Sequence, residues 1–272
     1  MATTIQNPPA KNPNHGPEEE ELGGKQMSFF EHLEELRQRL LRSILGLLIA
    51  TGICFYFSDH IYGWLAKPLT DTLRSLNLPD KLVYTNPIDP FNLYIKLSIV
   101  AGLFLASPYI LYQIWLFVAP GLYRHEKRYV WPFVTLTSAL FVSGGLFAYK
   151  LALPPALKFL VEFGQRFTPF ITIDQYWKLI TTILVGVGLV FELPVVILLL
   201  SIFGIVTPKF LLKNIRYAVL VTAIIAAAIA PTPDLATVFI LWIPMVALYI
   251  LSIGLSWIVY LKKRRSRKNA EA

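Results

Sequence analysis

Residues 235–261 read LATVFILWIPMVALYILSIGLSWIVYL, a run of 27 residues without a charged side chain. A bilayer core about 30 Å thick needs roughly 20 residues of helix to cross it, because unpaired backbone amides are too costly in hydrocarbon for irregular chain. The run is longer than this minimum. It therefore predicts a membrane-spanning helix.

Comparable runs recur along the 272-residue chain. Three of them lack charge altogether, and two carry one charged residue each, Arg42 near the start of the first and Glu192 within the fourth. The six predicted segments are Leu40–Phe57, Leu97–Tyr123, Tyr129–Tyr149, Leu179–Pro208, Tyr217–Pro233 and Leu235–Leu261. Six such segments predict an all-α integral membrane protein with six transmembrane helices.

The overall composition agrees with this fold class. Hydrophobic residues make up 55% of the chain and charged residues 15%, with a mean hydropathy of +0.56, so a soluble protein would lack enough polar surface. The single cysteine, Cys54, excludes a disulfide within the chain. The net charge of +8 is better explained by membrane topology than by nucleic-acid binding.

The sequence divides into three parts. Residues 1–26 are polar and rich in Pro, Asn and Glu, which predicts a disordered tail and does not resemble a cleavable signal peptide. Residues 27–261 hold the six-helix membrane domain. Residues 262–272 form a basic tail.

The lysines and arginines are distributed unequally between the two faces. An even number of crossings places both termini on one side, and that side carries 17 lysines and arginines against 8 on the other. Positive residues accumulate in cytoplasmic segments. Both termini, and both tails, are therefore predicted to be cytoplasmic.

The far side has two long loops and one tight turn. The loops, roughly Ser58–Pro90 and Leu151–Tyr176, contain amphipathic stretches with prolines that suggest a cap over the outer face. The turn Pro231–Asp234 leaves about 15 residues for the preceding helix, which cover only some 22 Å. The final hairpin is therefore predicted to be too short for the full bilayer, giving a cupped bundle.

Acidic residues mark the cytoplasmic surface. Ser28 and Glu31 have the spacing of a capping box, so a helix starts there, with Phe29, Leu33, Leu36 and Leu40 on one face and Glu31, Glu35, Gln38 and Arg42 on another. By parity, Glu126 shares the surface of Glu35. Two separated carboxylates suit an arginine-bearing peptide. Alternatively, Glu35 pairs with Arg39, Glu31 serves only in capping, and Glu126 neutralises its basic neighbours.

Glu192 is the one carboxylate within the predicted spans. An acidic side chain there costs roughly 2.5–3.5 kcal/mol, so it should be protonated, paired or exposed to a wet cavity, and it is a functional candidate. The alternative is a structural hydrogen bond between helices near a kink at Pro194.

Other kinds of chemistry have little support. The four histidines are far apart in sequence, so neither a metal site nor a catalytic triad can be assembled, and no cofactor is indicated. A membrane-embedded enzyme lacks the clustered His, Asp or Ser that it would need. A proton- or ion-coupled secondary transporter using Glu192 is the competing function, although matched halves are not evident.

Five sequence blocks in order resemble the TatC family, the multispanning core of the twin-arginine protein translocase. The resemblance covers nearly all of residues 27–260. The blocks are FEHLEELRQRL at 30–40, SPYILYQ at 107–113, APGLYRHEKR at 119–128, FELP at 191–194, and PTPD at 231–234 followed by IPM at 243–245.

The resemblance implies a non-enzymatic receptor and scaffold for exporting folded proteins, driven by the proton gradient across a bacterial inner membrane or a thylakoid membrane. It implies that Glu35 and Glu126, with Arg37, bind the twin-arginine signal peptide, and that Pro68 and Pro194 matter structurally or for translocation. It implies self-association in a receptor complex within the lipid membrane.

The same resemblance implies contacts with the single-span TatA-type and TatB-type subunits. They would involve Glu192, Asp234 and Thr232. Many members carry Gln four residues after the aspartate, where this chain has Val238. That departure puts a polar contact at this position in doubt, with Thr232 and Thr237 as nearby substitutes.

Overall fold

The computed structural model describes residues 29–118, 130–167 and 169–270, with the backbone alone at 29, 130 and 262–270. These residues are almost entirely helical. The helices are α1 (Phe29–Tyr56), α2 (Ser58–Ser75), α3 (Asp89–Val118), α4 (Val130–Phe147), a π-helical turn (Ala148–Ala152), α5 (Leu153–Phe163), α6 (Ile173–Val190), α7 (Leu193–Ile202), α8 (Pro208–Lys213), α9 (Ile215–Ile229) and α10 (Leu235–Ala270).

The helices confirm a multi-pass membrane fold. Five stretches are long and apolar enough to span a bilayer, and a sixth apolar helix, α9, is shorter. The five are Phe30–Tyr56, Asp89–Val118, Trp131–Phe163, Ile173–Ile202 and Leu235–Leu261. Every predicted segment thus overlaps an apolar helix in the described part of the chain.

Two helix boundaries differ from the charge pattern. Helix α6 begins at Ile173, before Lys178, because the Thr172 side chain accepts a hydrogen bond from the Gln175 N–H and caps the helix. Helix α4 continues through the π-helical turn into α5, so the start of the loop predicted from Leu151 is helical. Charge marks the edge of the membrane, whereas helix ends are set by caps.

Helix α1 packs lengthwise against α3 through small residues. Gly46 lies against the Tyr109 ring, and a methyl group on Gly102 would lie 2.8 Å from Thr51 Oγ1 and 2.9 Å from its backbone nitrogen. This close approach fixes the position of α1 relative to α3, including the start of α1 and the end of α3. We call the end of the bundle that they share the N-terminal face.

The far-side loops pack together as a cap. Leucines of α2 and apolar residues of α5 belong to the main buried cluster, among them Leu65, Leu69, Leu73, Leu157 and Val161. The Val83 N–H donates to Ile171 O at 3.1 Å and the Ile173 N–H to Val83 O at 2.9 Å, which joins the connection after α2 to the start of α6. We call this parallel pairing the loop bridge.

The final hairpin is short in one arm only. Helix α9 has 15 residues, or about 22 Å, whereas α10 has 36. The short arm predicted from the sequence is α9, whereas α10 contains the long apolar run predicted at 235–261. Ile229, the last residue of α9, packs within 3.3 Å of where a methyl group on Gly186 would lie. Since Gly186 is about 20 Å along α6 from Ile173, the α9–α10 turn is recessed into the bundle.

Candidate functional site

At the N-terminal face, Glu35 is held by a polar group on the inner side of α1. Its Oε1 lies 3.2 Å from Arg39 Nη2, and Arg39 Nη1 donates to Gln113 Oε1 at 3.4 Å. The Glu35 and Arg39 side chains are 17% and 22% exposed, and Gln113 is buried. The i to i+4 pairing considered from the sequence is thus present, and α3 holds it in place through Gln113.

The second carboxylate oxygen of Glu35 has a different environment. Oε2 is buried and has no hydrogen-bond partner among the residues that the structure describes. An ionised carboxylate accepts several hydrogen bonds, and a buried acceptor left unsatisfied costs about 1–3 kcal/mol. Glu35 is therefore fixed in position with one acceptor oxygen still available.

The two faces predicted for α1 are only partly correct. Leu33, Leu36 and Leu40 are all exposed, while Glu35 and Arg39 turn toward α3. In a membrane protein, the apolar stripe of such a helix faces lipid and its polar stripe faces the protein interior. The acidic residue is consequently less solvent-exposed than a surface stripe would be.

Glu126 and Ser28 lie outside the described residues, so the predicted pairing of Glu126 with Glu35 and the capping box stay predictions. The flanking structure still bears on Glu126. The His32 and Phe117 rings stack with centroids 4.4 Å apart, and α3 ends one residue later at Val118. Phe117, near the described end of α3, therefore lies beside the first turns of α1.

Arg37 lies on the outer side of the same turn. Its side chain is 72% exposed and its Nη1 is 3.6 Å from Glu34 Oε2. Among the described residues, Arg37 forms no ion pair or hydrogen bond with Glu35. An exposed pair of this kind contributes little stability, so Arg37 remains accessible to a partner.

Glu192 lies where the fourth span is interrupted. Helix α6 ends at Val190, and α7 begins at Leu193 with Pro194 in its first turn, so Pro194 opens a new helix instead of kinking a continuous one. The Glu192 backbone carbonyl accepts from Val195 and Val196 at 3.0 Å each. Its side-chain Oε1 is buried and has no hydrogen-bond partner among the described residues. The alternative considered from the sequence, a structural hydrogen bond between helices near Pro194, is therefore not formed by Oε1 within the described residues.

The recessed α9–α10 turn carries a second group of buried polar atoms. The Thr237 N–H donates to Asp234 Oδ2 at 2.7 Å, which caps α10. Thr232 and Thr237 are 2% and 1% exposed. The Thr232 and Thr237 hydroxyls face the Asp234 carboxylate, and Val238 packs on the apolar core. The side chains that can form polar contacts at this turn are therefore Thr232, Thr237 and Asp234, and not Val238.

Pro68 lies inside α2 and has no backbone N–H to donate to the Trp64 carbonyl. Tyr149 Oη donates to that carbonyl at 2.5 Å, and Tyr176 Oη donates to the next carbonyl, Leu65 O, at 2.7 Å. Two tyrosines from other parts of the bundle thus bind α2 where proline interrupts its ladder. The sequence motifs did not predict that either tyrosine would bind these carbonyls. The available signal was Pro68 itself, since a proline within a helix leaves a carbonyl in need of another donor.

This chain is similar to proteins of one known family. Residues 31–244 match the family described as Sec-independent protein translocase protein (TatC). Proteins of that name from Koribacter versatilis and Aquifex aeolicus are 45% and 38% identical to this chain. The first alignment covers 91% of both chains, and the second covers 89% of this chain and 100% of the other.

Solved structures give the same result. A crystal structure described as the twin-arginine translocase receptor TatC is 38% identical in sequence and superposes with a TM-score of 0.70. The match covers 84% of this chain and 99% of that one. A second structure, of the same receptor in the detergent DDM, gives a TM-score of 0.71 over 83% of this chain.

Proposed function

Since this chain belongs to the TatC family of Sec-independent protein translocase proteins, we propose that it is a receptor for twin-arginine signal peptides on folded cargo. It is a multi-pass integral membrane protein of the bacterial inner membrane and a non-enzymatic component of a translocase. The competing assignment, a secondary transporter using Glu192, is not supported by this membership.

The observation that carries the proposal is the Oε2 atom of Glu35, which is buried and has no hydrogen-bond partner among the described residues. Arg39, which Gln113 holds in place, fixes the carboxylate through its other oxygen, so a guanidinium that reaches Oε2 meets an acceptor that is already oriented. Arginine donates through a planar fork that matches a carboxylate, whereas lysine offers a point charge. The site should therefore prefer arginine to lysine.

Glu126 is proposed as the second acceptor. Two described residues flank it in sequence: Phe117, which stacks on His32 one turn from Glu35, and Val130, where α4 begins four residues after Glu126. Two carboxylates at this surface would accept two consecutive arginines. Exposed Arg37, at the rim, would bond to peptide carbonyls, and the apolar part of the signal peptide would then enter the concave membrane face.

The direct test measures peptide binding to the full chain in detergent. Glu35→Gln removes the charge and one acceptor while keeping the size of the side chain. We expect affinity for an Arg-Arg peptide to fall about 10- to 100-fold, because a hydrogen bond to a charged group is worth about 1.5–3 kcal/mol. Glu126→Gln should have a comparable effect. Affinity for a Lys-Lys peptide should change much less.

Glu34→Gln is the matched control, since Glu34 is adjacent in sequence, exposed, and paired only with Arg37 and Gln38 among the described residues. It should leave binding nearly unchanged. Equal losses at positions 34 and 35, or equal affinity of the unsubstituted chain for both peptides, would reject the receptor assignment.

We further propose that Glu192 and the α9–α10 turn contact the single-span TatA-type and TatB-type subunits, in a complex that also contains further copies of this chain. The support is the buried Glu192 Oε1, which has no hydrogen-bond partner in the described ranges, and the polar group that Asp234 and Thr232 form at the turn. A polar side chain on a partner helix would satisfy them, at about 1 kcal/mol for each bond. Signal-peptide occupancy would then alter partner packing, with the energised membrane driving transport.

The partner contact is tested by separating binding from transport. Glu192→Gln should leave Arg-Arg peptide affinity within about twofold and should impair transport of a folded reporter, because the charge is absent but the shape is kept. Photo-crosslinkers at positions 192 and 232 should capture the single-span subunits, and one at exposed Leu151 should not. Normal transport by Glu192→Gln would leave this residue a structural role only.

A further inference from the structure

A cavity of about 530 Å³ opens between α2, α5 and the start of α6. Its walls are mostly apolar side chains, among them Leu69, Leu157, Leu160 and Leu179, with Gln165 and Gln175 also in the lining. Leu179 belongs to the second turn of α6, near one end of a helix long and apolar enough to span a bilayer, and from this position we infer that the cavity lies close to the headgroups. None of the residues assigned above to peptide or partner binding lines this cavity.

The residues around the opening combine exposed apolar rings with unpaired positive charge. Phe163, Phe167 and Phe170 are each more than 60% exposed beside the cavity. Arg166 and Lys178 adjoin lining residues and are exposed, and neither forms an ion pair with any residue that the structure describes.

The other charges near the cavity are already compensated. Lys158 lies 3.7 Å from Glu162, and Asp174 lies 2.7 Å from Lys96. The surplus charge at the opening is therefore positive and resides on Arg166 and Lys178. An apolar ligand with an anionic end complements both the cavity and its opening.

We propose that this cavity binds one acyl chain of an anionic phospholipid from the adjacent leaflet, with Arg166 and Lys178 holding the phosphate. Apolar walls suit a flexible hydrocarbon chain, and the two glutamines can bond to ester or glycerol oxygens. A phospholipid supplies both parts from within the membrane. The site is separate from Glu35 and Glu192, so its test is independent of the receptor assignment.

The experiment uses the full chain in nanodiscs of phosphatidylglycerol and phosphatidylethanolamine, with a diazirine on the phosphatidylglycerol acyl chain as the probe. We expect crosslinks on peptides containing Leu157, Leu160 and Leu179. Leu160→Trp, which fills the cavity, should reduce these crosslinks several-fold. Leu151→Trp is the control, because Leu151 is an exposed leucine outside the cavity lining.

The headgroup is tested by native mass spectrometry of the released protein. Arg166→Gln and Lys178→Gln should each lower retained phosphatidylglycerol about fivefold relative to phosphatidylethanolamine. Lys150→Gln should not, since Lys150 is an exposed basic residue outside the cavity lining. These surface changes are not expected to disturb folding, so they decide the question even where Leu160→Trp destabilises the protein.

Three results would overturn the proposal. Crosslinks distributed over all lipid-facing helices would show only general lipid contact. Loss of crosslinking in Leu160→Trp without any effect of the charge variants would exclude selection for an anionic headgroup. Capture of a protein segment at Leu157 in native membranes, in place of lipid, would assign the cavity to a protein partner.

Discussion

Pro68 makes a specific demand on its neighbours, since it leaves a helical carbonyl without its usual donor. Tyr149 supplies that donor from the π-helical turn, and the ring of Tyr149 stacks on Trp64 at 4.0 Å. The proline and the tyrosine therefore act as one unit that attaches α2 to the bundle.

Tyr149→Phe should lower the free energy of unfolding by about 1–3 kcal/mol, because a partly buried carbonyl loses its partner while the ring is kept. The measurement is thermal unfolding in detergent. Tyr84→Phe is the control, because Tyr84 is 56% exposed and its hydroxyl makes no hydrogen bond within the described ranges.

A double-mutant cycle makes the test specific to Pro68. In a Pro68→Ala chain, the new backbone N–H can donate to Trp64 O, so adding Tyr149→Phe should cost clearly less than it does alone. Additive effects of the two substitutions would show that the tyrosine does not compensate for the proline.

At the scale of elements, the contact between α1 and α3 decides the position of Glu35. Gly102→Ala would place a methyl group within 3.0 Å of the Thr51 backbone, which the side chain cannot relieve by rotating. We expect a loss of about 1–3 kcal/mol in stability from overpacking, together with weaker Arg-Arg peptide binding as Gln113 shifts from Arg39. Thermal unfolding and peptide titration check both.

Gly52→Ala provides the comparison. A methyl group there meets nothing within 4 Å, and Gly52 is inside α1. This change should stabilise the helix slightly or have no effect, because alanine is the better helix former. If both glycine variants behaved alike, backbone proximity would not explain the role of Gly102.

Sequence patterns predicted the positions of the helices well but predicted the contacts between them poorly. Hydrophobic run length located all six segments, because the cost of unpaired amides in lipid depends on length and apolarity alone. The direction in which Glu35 points was less accessible, since it depends on Gln113, 78 residues away in sequence. The break at Glu192 and the recess at Ile229 likewise depend on packing between helices distant in sequence, which periodicity does not encode.

At the scale of the whole molecule, the topology is testable because Cys54 is the single native cysteine and is buried. Single cysteines at exposed Glu34 and at Gln165 should react with a membrane-impermeant maleimide from opposite sides. We expect position 34 to label in inside-out vesicles and position 165 in spheroplasts. Position 126 should follow position 34. Labelling of positions 34 and 126 from different sides would contradict the shared arginine-binding surface.

The loop bridge between Val83 and the start of α6 has a consequence for how the molecule opens. Its hydrogen bonds join backbone atoms of two segments that are 88 residues apart, so their strength does not depend on side-chain identity. The amide protons of Val83 and Ile173 should exchange with deuterium slowly while the loop bridge is formed. They should exchange quickly once the two segments separate. In a working translocase, the exchange rates of these two protons would therefore show whether the cap opens during export of cargo.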